Sequence, residues 1–172
     1  MAKGLGYCLI ALSCWALGES AVGRLREHRR RLKRMQSWLS CFRGKLLFEG
    51  ATVEEALRES AQLAGAPFSL LFGLVADALC RRDGMSLAAI WEAEAEKYKH
   101  QLMLSEEEYG DLIRFGGLLG QMDREAQQRA VVTYDERLAA AVKAAEEEIA
   151  VKEKLYRSLG IMSGCFIIIL IW

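Results

Sequence analysis

Both ends of this chain are apolar, and a highly charged middle separates them. Residues 4–23 contain a single charged side chain, Glu19, and residues 155–172 contain only Arg157. A helix needs about 20 mostly apolar residues to cross the roughly 30 Å hydrocarbon layer of a membrane. Both ends reach that length, and residues 165–172 lack the polar face that a helix of a globular core usually keeps. The pattern predicts two transmembrane helices, at residues 1–23 and 155–172.

The basic residues beside the two apolar ends indicate the orientation of the chain. Residues 24–34 carry seven Arg or Lys side chains and one acid, Glu27. The second apolar end has Lys152, Lys154 and Arg157 on its N-terminal flank. Flanks that are rich in Lys and Arg stay on the cytoplasmic side of a membrane. We therefore expect a two-pass protein of the cell membrane, with residues 24–154 in the cytoplasm.

A cleaved signal peptide is the main alternative for the N-terminal stretch, since a short basic start precedes it. Export would carry the basic run of residues 24–34 across the membrane, which the charge rule disfavours. Cys14 follows Ala-Leu-Ser and is at best a poor lipoprotein-type sequence, and lipid attachment there would draw the same basic residues outward.

The charged middle predicts an all-α fold, because apolar residues recur at three- and four-residue steps and the chain contains one proline, Pro67. The predicted apolar stripe of the first helix is Leu25, Leu32, Met35, Leu39, Phe42 and Leu46, and that of the sixth helix is Tyr134, Leu138, Val142, Ala145 and Ile149. Residues suited to starting helices are Thr52 with Glu55, Pro67, Ser86, Ser105 with Glu108, and Asp123. These signals predict a first helix that runs to about Phe48, then helices at about 53–63, 68–79, 87–102 and 106–120, and a long sixth helix that continues into the second span. The expected architecture is a membrane-anchored, six-helix cytosolic bundle at residues 24–154, flanked by the two transmembrane helices.

The residues needed for catalysis or for metal binding are largely missing. His28 and His100 have no second ligand at metal-binding spacing, and the glycines of residues 116–120 lack the spacing of a phosphate-binding loop. The five cysteines show no C-x-x-C spacing and are interpreted as small buried apolar residues: Cys8, Cys14, Cys41, Cys80 and Cys165. We expect no enzyme activity, no metal and no cofactor.

Two charged features have ordinary explanations. Runs of Glu such as 106–108 and 146–148 are typical of first helical turns or solvated helix faces. The basic run at 24–34 would suit nucleic acid, but its position directly after a predicted span favours attraction to anionic lipid head groups. Membrane lipids are therefore expected partners, and nucleic acid is not.

The most unusual segment is residues 113–128, which hold three glycines within five positions, Gly116, Gly117 and Gly120. Each glycine lowers the stability of an exposed helix by about 1 kcal/mol, so a compensating role is expected. Glycine allows close approach and sharp turns, and Asp123 is placed to cap the following helix. The simpler interpretation is a helical-hairpin corner, and the sharper one is a corner that also presents a docking surface.

This segment, FGGLLGQMDREAQQ, resembles the FG-x-x-LG-x-x-D-x-x-x-Q segment of the stage III sporulation protein AB family. The matching positions are Phe115, Gly116, Leu119, Gly120, Asp123 and Gln127. The resemblance also covers the apolar start, the Arg-rich stretch after it, Trp91 near an acidic stretch, and the segment from Lys152 to Gly164. The chain departs from the family at Thr52, where a proline is often expected.

The resemblance implies a structural part of a channel or secretion-like complex that joins the mother cell and the engulfed forespore. Its cytosolic helical domain would be similar to those of the inner-membrane platform proteins of type II secretion systems. The implied partners are an assembly ATPase in the cytosol and other membrane proteins of the sporulation complex. The cytosolic domain would lie on the mother-cell side, and association with further copies of the chain stays open.

Two other classes of protein stay open at this stage. One is a small membrane transporter or a membrane-enzyme subunit that uses Glu19 as an ionisable group within the first span. Two spans enclose no pathway, so this class would require an oligomer. The other is a soluble coiled-coil adaptor, which a carbonate wash of membranes would distinguish from an anchored protein.

Overall fold

The computed structural model describes residues 2–81, 84–120 and 123–171, with side chains described at residues 20, 22–81, 84–120, 123–156 and 158. Within these residues the fold is all-α and contains no strand, as the sequence predicts. Six α-helices and one π-helical segment follow one another: α1 Ala2–Arg43, π1 Gly44–Glu49, α2 Val53–Ala64, α3 Phe68–Arg81, α4 Leu87–Leu102, α5 Glu106–Leu119 and α6 Arg124–Ile171.

The predicted capping residues begin the helices as expected. At α2 the Glu55 amide donates to Thr52 Oγ1 at 3.2 Å, and the Thr52 amide donates to Glu55 Oε2 at 2.9 Å. Ser105 and Glu108 form the same reciprocal pair at α5, at 3.2 and 2.8 Å. Ser86 accepts a hydrogen bond from the Ala89 amide of α4. Each cap satisfies backbone N–H groups that the first turn of a helix leaves without partners.

The first helix runs as far as predicted, but its last turns differ from an ordinary α-helix. The backbone widens into the π-helical segment π1, in which the Gly50 amide donates to the Lys45 carbonyl. Gly50 ends the segment with a φ of 73°, a left-handed conformation that glycine adopts without a steric penalty.

The described chain is organised as two compact units. Unit 1 comprises Met1–Arg29 and Lys143–Trp172, and unit 2 comprises Arg30–Val142. Helices α1 and α6 each contribute residues to both units, whereas π1 and α2 to α5 belong to unit 2 alone.

The core of unit 2 contains seven aromatic rings contributed by five helices. They are Trp38, Phe42, Phe68, Phe72, Trp91, Phe115 and Tyr134, and all are buried. Trp38 and Phe72 are stacked, with ring centroids 4.0 Å apart. The predicted apolar stripes contribute to this core: Leu32, Met35, Leu39, Phe42 and Leu46 are buried, as are Tyr134, Leu138 and Val142. Leu25, predicted on the first stripe, is half-buried.

Among the residues that the structure describes, no helix has the length and apolar character needed to cross a membrane. The predicted spans, residues 1–23 and 155–172, lie for most of their length outside the described side chains.

Unit 1 contains ion pairs between α1 and α6. Arg26 Nη2 lies 2.5 Å from Glu153 Oε1, and Arg29 Nη1 lies 3.9 Å from Glu146 Oε1. Residue numbers rise along α1 while they fall along α6, so the two helices are antiparallel here. Part of the basic run at 24–34 therefore pairs with acids of α6, a partner that the sequence alone did not indicate.

Candidate functional site

The six motif residues lie around the connection between α5 and α6. Phe115, Gly116 and Leu119 are buried on α5, while Gly120 directly follows that helix and is exposed. Asp123 precedes α6, and Gln127 lies in the first turns of that helix. The motif therefore covers the end of one helix and the start of the next.

Phe115 is the centre of the aromatic core. Its ring centroid lies 4.5 Å from that of Tyr134, on which it stacks. Its edge-to-face contacts reach Trp38 at 6.1 Å, Phe42 at 6.2 Å and Trp91 at 5.8 Å. These geometries are among those that aromatic pairs prefer. Phe115 thus joins α5 to three other helices, α1, α4 and α6.

Gly116 provides the space for the Trp91 indole. A Cβ atom at this position would lie 2.2 Å from both Cγ and Cδ1 of Trp91, which is well inside contact distance. The same indole donates from Nε1 to the Leu112 carbonyl at 3.0 Å, so its position is defined by a buried hydrogen bond. The glycine is therefore required by close packing of α4 against α5.

The other two glycines of the segment have different surroundings. Gly117 is exposed, and a Cβ atom there would meet nothing within 4 Å. Gly120 has a φ of −71°, which any residue adopts, and its Cβ position lies 3.5 Å from the Ala88 amide nitrogen. The backbone conformation of Gly120 therefore does not itself require glycine, and the position lies close to the start of α4.

Asp123 and Gln127 complete the corner through hydrogen bonds. Asp123 caps α6, as predicted: its carboxylate accepts from the amides of Glu125 at 3.1 Å and Ala126 at 3.2 Å. Gln127 Nε2 donates to the Leu119 carbonyl at 3.2 Å, which satisfies a carbonyl at the end of α5. The corner is thus held by a bond between the two helices, and Gly120 and Asp123 are its solvent-exposed motif residues.

We call the end of unit 2 that contains the connection between α5 and α6 the far end. This end also contains π1, because Gly50 lies against Arg124: its Cβ position would be 3.6 Å from Arg124 Nη2. The start of α4 joins it through the contact of Ala88 with Gly120. The connections of α1 to α2, of α3 to α4 and of α5 to α6 therefore meet at the far end.

Phe48 is the residue of this end that sequence reasoning missed as a functional candidate. It is 84% exposed, more than any other large apolar side chain described. It lines a cleft of about 270 Å³ with Leu47, Arg124, Glu125 and Gln128. A sequence signal exists: Phe48 falls two positions after Leu46 and so lies off the buried stripe of α1 and π1.

Tyr134 is a titratable residue whose ring packs in the buried aromatic core. Burial raises the pKa of the Tyr134 hydroxyl, and the nearby carboxylates of Asp111 and Glu108 act in the same direction. The cavity beside Tyr134 has a volume of about 20 Å³, room for about one water molecule. Among the described residues, no three His, Cys, Asp or Glu side chains are grouped to hold a metal ion.

Comparison with known proteins identifies the family. The model of the family described as stage III sporulation protein AB matches residues 3–172. The chain belongs to the stage III sporulation protein AB family. It is 28% identical over 171 residues, or 99% of each chain, to Stage III sporulation protein AB of Bacillus subtilis (strain 168). The resemblance drawn from the motif at 115–127 is therefore confirmed.

The fold agrees with that of a solved member of the stage III sporulation protein AB family. A structure of SpoIIIAB aligns with a TM-score of 0.63 and 26% sequence identity, covering 70% of this chain and 94% of the solved one. The helical bundle is thus shared within a family of sporulation proteins.

Proposed function

We propose that this chain is a non-enzymatic membrane scaffold of a sporulation complex between mother cell and forespore. The apolar ends, residues 1–23 and 155–172, would anchor it as two spans, with residues 24–154 in the mother-cell cytoplasm. Family membership supports the role in sporulation, and the basic flanks of the two apolar ends support the orientation.

The continuity of α1 and α6 supports a mechanical role. Each helix runs without a break from a predicted span into the bundle, over Ala2–Arg43 and Arg124–Ile171. Unbroken helices are stiff, since bending them sharply requires a proline, a π-bulge or a disrupted hydrogen bond. A load applied to the cytoplasmic bundle by a partner would therefore reach both spans.

We place the docking surface for the cytosolic partner at the far end, and the observation that carries this proposal is the exposure of Phe48. A large aromatic side chain contributes much binding free energy when a partner covers it, and a few such residues often dominate the binding energy of an interface. The adjacent cleft would accept one apolar side chain of the partner, flanked by Arg124 and Glu125 as polar contacts. The proposed partner is a secretion-type assembly ATPase, together with other membrane proteins of the complex.

The docking surface is tested by co-purification with full-length variants from sporulating cells. Phe48→Ala should lose the cytosolic partner while its circular dichroism and melting temperature stay those of the wild type. Gly120→Trp, which places a bulky side chain at the same end of unit 2, should do the same. Val132→Ala is the matched control, since Val132 is an exposed apolar residue on α6. Folded Phe48 and Gly120 variants that capture every partner would remove the docking role from the far end.

The anchoring is tested separately. The full chain should stay with membranes after a carbonate wash. In non-sporulating cells that express the chain with its five native cysteines replaced by alanine, cysteines introduced near the two termini should react with an impermeant reagent from outside the cell, and one introduced at Val132 should react only after permeabilisation. A chain that washes free of membranes, or a bundle labelled from outside, would overturn the proposed topology.

A further inference from the structure

Two charged residues line the cleft beside Phe48, and they differ in their ion pairing. The lining residues are Leu47, Phe48, Arg124, Glu125 and Gln128. The Glu125 carboxylate lies 3.5 Å from Arg129 Nη1 and so has a cationic partner. Among the described residues, the Arg124 side chain takes part in no ion pair and no hydrogen bond. The cleft therefore combines apolar side chains with one unpaired positive charge.

The acidic residues around Arg124 are engaged with other groups. Asp123 accepts hydrogen bonds from the first amides of α6, and its carboxylate lies 3.6 Å from Arg129 Nη2. The Arg124 guanidinium lies against the end of π1. The last residue of π1, Glu49, has its carboxylate 3.8 Å from Lys45 Nζ. The charge of Arg124 is thus left for a group from outside the bundle.

Arg124 also occupies a helix position that disfavours a cation. It is the first residue of α6, and the aligned peptide dipoles give that end of a helix a partial positive charge. Acidic residues such as the neighbouring Glu125 are favoured in a first turn, and basic residues are not. A residue that contradicts a local preference without a compensating contact inside the fold indicates a role in function.

The shape of the cleft limits what can bind beside this cation. Its volume of about 270 Å³ has room for one large side chain, and Phe48, which is 84% exposed, offers that side chain an apolar contact. Arg124 and Gln128 are four residues apart on α6, so they share one side of the helix and both present N–H donors. A ligand that fills the cleft therefore needs an apolar group and, next to it, an acceptor that carries negative charge.

We infer that the partner segment that docks at the far end carries an Asp or Glu beside its apolar anchor, and that this carboxylate pairs with Arg124. The inference rests on the docking surface put forward under Proposed function and names the chemistry of its occupant. A guanidinium can donate two parallel N–H bonds to a carboxylate, and such charge-assisted bonds are among the stronger hydrogen bonds in proteins. Phe48 would then supply apolar contact, and Arg124 would select acidic partner segments over neutral or basic ones.

The test compares full-length variants that differ in charge at the cleft. The partner is defined first, as the protein that the wild type co-purifies from sporulating cells and that Phe48→Ala does not. Its affinity, once it is purified, is measured for the full-length chain in lipid nanodiscs, at low and at high salt. The variants are Arg124→Gln and Arg124→Glu, and the matched control is Arg137→Gln. Arg137 is likewise an exposed arginine of α6 without an ion pair among the described residues, and it lies about 20 Å further along that helix.

Arg124→Gln should weaken binding about tenfold, and Arg124→Glu should weaken it further because two carboxylates would then repel each other. The affinity of the wild type should fall as salt rises, and this dependence should be smaller for Arg124→Gln. Neither substitution should lower the melting temperature, since the dipole of α6 disfavours a cation at this position. Arg137→Gln should bind the partner as the wild type does.

The outcomes separate this inference from the docking surface on which it rests. Wild-type binding by both Arg124 variants would overturn the inference, while the dependence on Phe48 would leave the docking surface in place. If no co-purified protein depends on Phe48, the docking surface fails and the inference fails with it. Weaker binding of Arg124→Gln with unaltered salt dependence would also overturn the inference, since Arg124 would then act through contacts of its apolar stem.

A crosslink identifies the carboxylate directly. A photoreactive phenylalanine analogue at position 48 is crosslinked to the purified partner, and the attached peptide is sequenced by mass spectrometry. We expect an Asp or Glu within about four residues of the attachment point. Replacing that acid with Lys should weaken binding to the wild type and restore binding to Arg124→Glu. A peptide without an acid, or one whose negative charge comes from a phosphorylated residue, would overturn the inference.

Discussion

The indole of Trp91 occupies the space that a side chain at Gly116 would need. A Cβ atom on Gly116 would lie 2.2 Å from Cγ and Cδ1 of the ring, whose Nε1 donates to the Leu112 carbonyl. The ring is buried and contacts Phe72 and Phe115, so it has no free space in which to move. One motif position therefore depends on a residue of another helix.

Gly116→Ala should destabilise the bundle by about 1–3 kcal/mol, the usual cost of forcing extra volume into a packed core. Urea unfolding monitored by circular dichroism measures the change. Gly117→Ala is the matched control, because its Cβ would meet nothing within 4 Å and alanine is the better helix former by roughly 0.5–1 kcal/mol. Equal effects of the two substitutions would contradict the packing argument.

Gln127→Ala should cost about 1 kcal/mol, because the Leu119 carbonyl loses the hydrogen bond from Gln127 Nε2. Gln128→Ala changes helix propensity in the same way at an exposed neighbouring position and serves as control. Thermal unfolding of both variants gives the comparison. If the two variants melt at the same temperature, the bond between the helices contributes nothing measurable to the corner.

Thr52→Ala should lower the free energy of unfolding by about 1 kcal/mol, since α2 loses its side-chain cap. Ser37→Ala is a suitable control: its hydroxyl donates to the Lys33 carbonyl within α1 and caps no helix end.

The Thr52 hydrogen bonds also lower the pKa of the Glu55 carboxyl. Stability from this pair is present above the ordinary glutamate range and is lost as the pH falls through the lowered pKa of folded Glu55. Thr52→Ala removes the hydroxyl but keeps the backbone amide, which is the larger cause of the lowered pKa, so the substitution should flatten the loss of stability in acid only in part.

Tyr109 should make the bundle sensitive to alkali. Burial, followed by the hydrogen bond to Glu96, raises the pKa of the Tyr109 hydroxyl to about 12, whereas an unfolded tyrosine titrates near 10. The neutral form is thus favoured by folding, and its contribution is lost as the pH rises from about 10 to about 12. Tyr109→Phe should reduce the decline in melting temperature over that interval. Tyr98→Phe, a half-buried position on α4, is the control, and an unchanged decline in Tyr109→Phe would contradict the assignment.

Helix positions were predictable because the signals that start and stop helices act over a few residues. Thr52 with Glu55, and Ser105 with Glu108, bond to each other three positions apart. The boundaries of α4 were predicted without error for the same reason, since Ser86 caps its first turn. The buried stripes of α1 and α6 followed from helical periodicity, and the motif at 115–127 indicated the family that comparison confirmed.

Tertiary structure alone decided which residues meet across helices, because those contacts join positions whose separation in sequence carries no local signal. The antiparallel pairing of Arg26 with Glu153 spans 127 positions. The exposure of Phe48 depends on which side of the far end α6 covers, and the need for glycine at 116 but not at 117 depends on where Trp91 packs. Local chemistry sets the ends of each helix, whereas long-range packing determines what each helix face touches.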